Sequence, residues 1–272
     1  GTDGARQHCA ITLRTATNDE LDNLSTAPRL ATSCDYPMTR HLPTEFVFAP
    51  PKTNALAVAN SSAVFPVGRV FCIGRNYRWQ ADEGERPQEM PPWFMKPPNA
   101  VVPATGAVPY PPQTQDFCHE IELVVGIGRG GSHIAPQDVE PQHIWGYAAG
   151  LDMTRRDLQQ LAKRMGGPWD AAKAFDHSAP CTPLVPASVC GHPRQGAIWL
   201  AVYGAYRQRG DLSQLLWSVP ELVAMLSRSL ELQPGDLIFT GTPAGVGPLQ
   251  MGDELSGGIA GVGQFTLSIS TL

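Results

Sequence analysis

Glu120 and Glu122 flank a single isoleucine in the run HEIELVVGIG, His119 to Gly128. In extended backbone, residues two apart project to the same face, so both carboxylates point together. Their neighbours are apolar and favour burial. Two buried like charges repel each other and lose hydration, and a divalent cation is one way to compensate them. A third carboxylate, Asp152, lies in GLDMTRRDLQ, where strand-like sequence gives way to helix. Three hard oxygen ligands without a Cys or His pattern suit Mg2+ or Mn2+ better than zinc. The spacing alone equally allows a second arrangement, in which Glu120 and Glu122 line the exposed face of an edge strand.

The elements that must position these groups can be read from periodicity. GRVFCIG (Gly68 to Gly74) reads as a short buried strand and WFMKP (Trp93 to Pro97) as extended. Between them, Asn76 to Pro92 is charged and proline-bearing, as expected of a loop or short helix able to move over a site. A helix is expected over Thr154 to Met165, with Leu158, Leu161, Ala162 and Met165 as its apolar face and Arg155 and Gln159 sharing another. Gly166, Gly167 and Pro168 stop it. A second helix starts near Pro220, with Leu222, Val223, Leu226 and Leu230 as its stripe, and ends at Pro234-Gly235. Strands follow at Leu237 to Thr240 and Gln264 to Ser270, the last with Phe265, Leu267 and Ile269 facing one side. Limited helical periodicity and the 27 glycines and 26 prolines together imply a strand-rich α+β fold with many turns.

Composition narrows the function classes. The formal net charge of −5 gives no basic footprint for nucleic acid and no attraction to an acidic membrane surface. No apolar stretch is long enough to span a bilayer. The six cysteines include no C-x-x-C pair and read as reduced thiols of a cytoplasmic protein. The first residues hold Asp3, Asp19 and Glu20 without a hydrophobic stretch, which argues against a secretory signal. Residues 1–45 are polar and aperiodic and read as a loosely ordered extension to a domain over 46–272.

Two glycine-rich segments invite misreading. Gly126 to Gly131 follows a strand, but Pro136 and Pro141 stand where a dinucleotide-binding helix should run. GTPAGVG, Gly241 to Gly247, lacks the Lys-Ser/Thr ending of a phosphate-binding loop. Its amides and Thr242 could still hold a carboxylate, or it could be a simple turn.

From Phe65 onward the chain resembles the fumarylacetoacetate hydrolase family. The resemblance is carried by FCIGRNY (Phe71 to Tyr77), HEIELVVGIG, GYAAGLDMTRRDLQ (Gly146 to Gln159), PWDAAKAFDHSAP (Pro168 to Pro180) and GDLIFTGTPAGVG (Gly235 to Gly247). It implies a mixed, strongly curved β-roll with short flanking helices, usually a homodimer, acting on a small keto acid. It also implies that Glu120, Glu122 and Asp152 are the metal ligands and Lys173 the active-site lysine. Gln159 then contacts substrate, while Arg75, Arg156 and Thr242 help hold the substrate or the surroundings of the metal.

The implied reaction is hydrolysis of a carbon–carbon bond in an acylpyruvate, such as fumarylpyruvate to fumarate and pyruvate. One position departs from the family pattern. The family segment reads GRNYxxHxxE, and its histidine, supported by the glutamate, activates water. Here the segment is GRNYRWQADE, with Gln80 at the histidine position and Glu83 at the glutamate position. Glutamine has no titratable nitrogen and is no general base. The candidates for water activation are then Glu83 alone, its pKa raised beside Trp79, or metal-bound water. His119 is expected on the opposite strand face, and His177 follows Lys173 without being the base. Two alternatives gain weight from Gln80: decarboxylation or tautomerisation of oxaloacetate, which needs no attack of water on carbon, and silent binding of metal and keto acid. Tyr203, before Gly204, stands where relatives usually carry asparagine, so a different local turn is expected there.

Overall fold

A computed structural model describes residues 46–78 and 86–271. The chain divides into two units, 1–50 and 51–272. The segment expected to be loosely ordered lies outside the described residues, as do Trp79, Gln80 and Glu83.

The larger unit is strand-rich, with mixed sheets and short helices. Its main sheet runs in the order Trp93–Lys96, Val70–Ile73, Leu237–Phe239, Ile121–Ile127, Ile144–Leu151, Ala179–Cys181, Val101–Pro103, with Val185–Pro186 also paired to Ile144–Leu151. A second sheet runs Ala205–Asp211, Ala197–Val202, Glu254–Ile259, Gly263–Ser270, Thr105–Pro109. Thr154–Arg155, Phe117–His119 and Gly247–Leu249 form a third, small sheet.

The glutamate strand, Ile121–Ile127, is central and buried at every position. An exposed edge strand is therefore excluded. Strands buried on both faces read as continuous apolar runs, which is why ELVVGI lacks alternation. The strand Gly263–Ser270 behaves oppositely: Phe265, Leu267 and Ile269 are buried while their neighbours are not. Val219–Ser229 forms the second expected helix, and Leu222, Val223 and Leu226 are fully buried in the core.

The first helix differs from its sequence reading in extent and orientation. Thr154–Arg155 is a strand, and the helix spans Arg156–Met165, closing at Gly166 with φ 65°. Its buried residue is Gln159, whereas Leu161 and Met165 are 44% and 76% exposed. Periodicity located the stripe, but the polar face is the one turned inward, because it lines a cavity lined with charge. Where a dinucleotide-binding helix would run there is only a turn of Pro136–Asp138 and the short segment Val139–His143. The Tyr203-Gly204 turn keeps the tight two-residue form. Val202 pairs with Ala205, and both turn residues have positive φ, 48° and 75°. Tyr203 accepts this strained conformation, and its hydroxyl donates to the Gly252 carbonyl at 2.6 Å.

Candidate functional site

Register explains how three distant carboxylates meet. Ile121 pairs with Leu151 and Glu122 with Gly150 across the antiparallel ladder. Asp152 follows directly, and its amide donates to the Glu120 carbonyl at 2.8 Å. Glu120 itself lies in the break where the chain passes from the small sheet to the main one. One ligand oxygen from each of Glu120, Glu122 and Asp152 falls within 4.8 Å of the others. All three residues are less than a tenth exposed.

Protein cations contact two of the three carboxylates, Glu120 and Asp152. Lys173, from the short helix Asp170–Lys173, places Nζ 2.8 Å from Asp152 Oδ2 and 3.0 Å from Glu120 Oε2. Burial alone would lower the Lys173 pKa, but the two carboxylates outweigh it and hold the ammonium charged. Arg156 Nη2 contacts Glu120 Oε1 at 2.6 Å, and Thr154 Oγ1 donates to the same oxygen at 2.9 Å. Lys96, absent from the sequence reading, lies buried with Nζ 2.9 Å from Asp152 Oδ1. That contact is ionic and poorly directed; Asp152 Oδ1 has no hydrogen bond. Lys96 donates instead to the carbonyls of Met153 and Lys173. Burial would raise the Asp152 pKa, but Lys173 and Lys96 pull it below the ordinary carboxylate value.

Glu122 stands apart. Among the described residues no cationic side chain contacts it. The Gly241 amide donates to Oε2 at 2.7 Å. Burial first, then Asp152 and Glu120, push its carboxyl well above the ordinary range. Hard oxygen ligands, a weakly bonded Asp152 oxygen and an uncompensated Glu122 fit a divalent cation bound among them.

The GTPAGVG loop does hold a carboxylate through an amide, and that carboxylate is Glu122. Gly241 has φ 102°, and a Cβ there would sit 2.9 Å from that of Asn76. The Thr242 hydroxyl donates to the Ile121 carbonyl at 2.7 Å and accepts from Gln208 Nε2 at 2.8 Å. It ties the loop to the glutamate strand instead of offering its proton to a ligand. Gln208, fully buried on the second sheet, also accepts from the Ile121 amide and contacts His119 Nδ1 at 2.9 Å.

A cavity of about 460 Å³ opens onto the cluster. It is lined by all three carboxylates, Lys173, Arg156, Gln159, Thr242 and Arg75, the described residues that the resemblance assigned to metal, lysine and substrate roles. Arg156 Nη1 donates to Gln159 Oε1 at 2.6 Å, leaving the glutamine NH2 directed elsewhere. Arg156 therefore takes the place beside Gln159 that the helical spacing suggested for Arg155. Arg155 stacks on Phe175, 4.4 Å from the ring centroid. Arg75 is exposed at φ 57°, a backbone conformation costly for a side-chain-bearing residue. Phe94, Lys163 and Trp169 also line the cavity and were not foreseen. His119 and His177 do not line it.

Fold and site together define a β-roll protein with a buried carboxylate cluster able to hold a divalent cation, opening into a cavity that four cationic side chains line. The chain belongs to the fumarylacetoacetate hydrolase family: residues 69–270 match the fumarylacetoacetate (FAA) hydrolase C-terminal domain. A fumarylpyruvate hydrolase from a Ralstonia species is 42% identical over 177 residues, 65% of this chain and 91% of the relative. The mouse mitochondrial oxaloacetate tautomerase is 39% identical over 194 residues, covering 71% and 87%. The crystal structure of Pseudomonas aeruginosa fumarylpyruvate hydrolase in complex with Mn2+ and pyruvate superposes with a TM-score of 0.80 at 49% identity. The match covers 84% of this chain and all of that one. No helix among the described residues is long and apolar enough to cross a membrane.

Proposed function

We propose that this protein is a metal-dependent hydrolase that cleaves a carbon–carbon bond in an acylpyruvate, with fumarylpyruvate giving fumarate and pyruvate. The observation that carries the reading is the buried Glu120–Glu122–Asp152 cluster with protonated Lys173 bridging two of its members. Likeness to a hydrolase solved with Mn2+ and pyruvate supports it.

Glu120, Glu122 and Asp152 would hold Mg2+ or Mn2+. The bound cation would supply positive charge where the pyruvyl oxygens become an enolate. Lys173 adds a fixed charge at the same end, already paired and oriented before substrate arrives. Arg156 locks the Gln159 amide, so its NH2 can meet a substrate oxygen in one orientation. Arg75, at the cavity lining, meets a substrate carboxylate. Glu83 takes a proton from water, whose oxygen bonds to the acyl carbonyl carbon. The bond to the pyruvyl methylene breaks, its electron pair passes into the enolate, and protonation there yields pyruvate.

A second reading, oxaloacetate tautomerisation or decarboxylation, is favoured by one observation: Gln80 replaces the histidine that would activate water. Both reactions use enolate stabilisation, and only hydrolysis uses an activated water. Incubation of the protein with Mn2+ and either fumarylpyruvate or oxaloacetate separates them. Release of fumarate and pyruvate supports hydrolysis. Ketonisation or carbon dioxide release from oxaloacetate, with fumarylpyruvate untouched, replaces it with the second reading.

A further inference from the structure

Four side chains of the cavity lining are linked by successive contacts that begin and end on a lysine. Lys173 Nζ lies 5.0 Å from the Phe94 ring centroid. The Phe94 and Trp169 centroids are 5.7 Å apart. Lys163 Nζ lies 5.0 Å from the Trp169 centroid. The inner lysine is committed to Asp152 and Glu120. The outer one is exposed, and among the described residues it forms no ion pair with any carboxylate.

Lys163 is not placed there by chance of a long side chain. Arg156, Gln159 and Lys163 recur at helical spacing on the inward face of Arg156–Met165, and all three line the cavity. Partial burial, then the positive charges of Arg156 and Arg75, hold the Lys163 ammonium below the ordinary lysine pKa. A cation cluster of this kind is completed by an anion. The Trp169 ring holds the ammonium by a cation–π contact, with no carboxylate paired to it among the described residues.

We infer that Lys163, seated on Trp169, is a subsite for a second carboxylate at the far end of the substrate, with the Phe94 and Trp169 rings as the apolar surface for the arm between. The inference deepens the acylpyruvate reading and rests on it for orientation: the pyruvyl end meets Lys173 and the acidic cluster, and the acyl arm runs along the rings. It names the substrate class as acylpyruvates whose acyl group ends in a carboxylate. Oxaloacetate carries its second carboxylate one methylene from the keto carbon, at the inner end, and draws no benefit from Lys163.

Calorimetry on the full chain loaded with Mn2+ tests this with two uncleavable ligands of equal length. These are 2-oxoheptanedioate and 2-oxoheptanoate, which differ in the terminal carboxylate. The protein binds the dicarboxylate about tenfold more tightly, a difference of ~1.4 kcal/mol. Lys163→Met keeps an unbranched side chain without the charge and brings the preference close to one. Arg164→Met removes the same charge from the next residue, which does not line the cavity, and keeps the preference. Equal binding of both ligands by the unaltered protein, or a preference that survives Lys163→Met, overturns the subsite. Fumarylpyruvate turnover by the same preparation scores the hydrolase reading separately: no turnover with the preference intact rejects that reading and leaves the subsite standing.

Discussion

Lys96 Nζ lies 2.9 Å from Asp152 Oδ1, and both side chains are withdrawn from solvent. Asp152 is thereby held between two lysines, since Lys173 contacts its other oxygen. Removing one partner of a buried pair leaves a charge uncompensated and costs about 3–5 kcal/mol. Lys96→Met should therefore lower the melting temperature of the metal-free protein sharply. Saturating Mn2+ should restore more stability to the variant than to the unaltered protein, because a bound cation replaces the missing charge. Equal Mn2+-induced shifts in the two proteins would place Asp152 outside the metal site.

Glu122 predicts the opposite sign. Its carboxylate is buried near Asp152 and Glu120 without a protein cation on it. Glu122→Gln keeps the shape and an oxygen to accept from the Gly241 amide, and it removes the repulsion. The metal-free variant should melt higher than the unaltered protein, while the Mn2+-induced rise disappears. Differential scanning fluorimetry with and without Mn2+ reads both effects. A lower metal-free melting temperature would show that Glu122 is compensated in some other way.

How legible the site was depended on how local its causes are. Glu120 and Glu122 declare themselves within three residues, because side-chain alternation and an apolar context are sequence properties. Asp152 is legible as a carboxylate at a strand end, but its place opposite Glu120 comes from ladder register. Lys96 was not legible. Its strand is separated from the glutamate strand by Val70–Ile73 and Leu237–Phe239, and nothing in WFMKP says what lies across the sheet. Lys163 was hidden by a correct period with the wrong inward face. The stripe Leu158, Leu161, Ala162 and Met165 reads as core-facing until the cavity shows that charge, and not apolar area, faces inward. Gly241 was legible as a turn glycine, while its carboxylate partner was not.

Gln80 gives the prediction with the largest effect on rate. Restoring the family histidine supplies a nitrogen able to accept a proton, and general bases contribute about 10²–10⁴-fold. Gln80→His should raise kcat for fumarylpyruvate by at least tenfold and leave oxaloacetate ketonisation within about twofold, since that reaction needs no activated water. Stopped-flow loss of the enol absorbance measures both. An unchanged hydrolytic rate would mean that water is activated by groups other than the residue at this position.

The start of the Val219–Ser229 helix carries a pH-dependent contribution separate from the carboxylate cluster. The Glu221 carboxylate accepts from the Ser218 amide and hydroxyl, each at 2.8 Å, and pairs with Arg86 at 2.7 Å. Partial burial raises its pKa, but Arg86 and the Ser218 groups outweigh that and lower it. A depressed folded-state pKa means that the contribution is present above the unfolded glutamate value of about 4.3 and is lost as pH falls through the folded value. Urea denaturation should show the protein more stable than Glu221→Gln at about pH 6, with the difference gone by about pH 3. A difference that grows on acidification would reverse the assignment.

Asn76 connects the core to the site through three hydrogen bonds. Its Nδ2 donates to the Trp217 carbonyl at 3.0 Å and the Thr240 carbonyl at 2.9 Å, and its Oδ1 accepts from the Trp217 amide at 2.8 Å. The side chain is fully buried, so truncation leaves backbone groups without partners, each costing about 1–3 kcal/mol. Asn76→Ala should thus destabilise the fold by about 3 kcal/mol. Asn76 also follows strained Arg75 and packs against Gly241, whose amide holds Glu122. The variant should therefore bind Mn2+ severalfold more weakly even at temperatures where it is fully folded. Asn76→Asp accepts from the Trp217 amide but cannot donate to the two carbonyls, so it should be at least as damaging. A variant that loses stability but keeps full Mn2+ affinity would confine Asn76 to the core and separate the Arg75 turn from the carboxylate cluster.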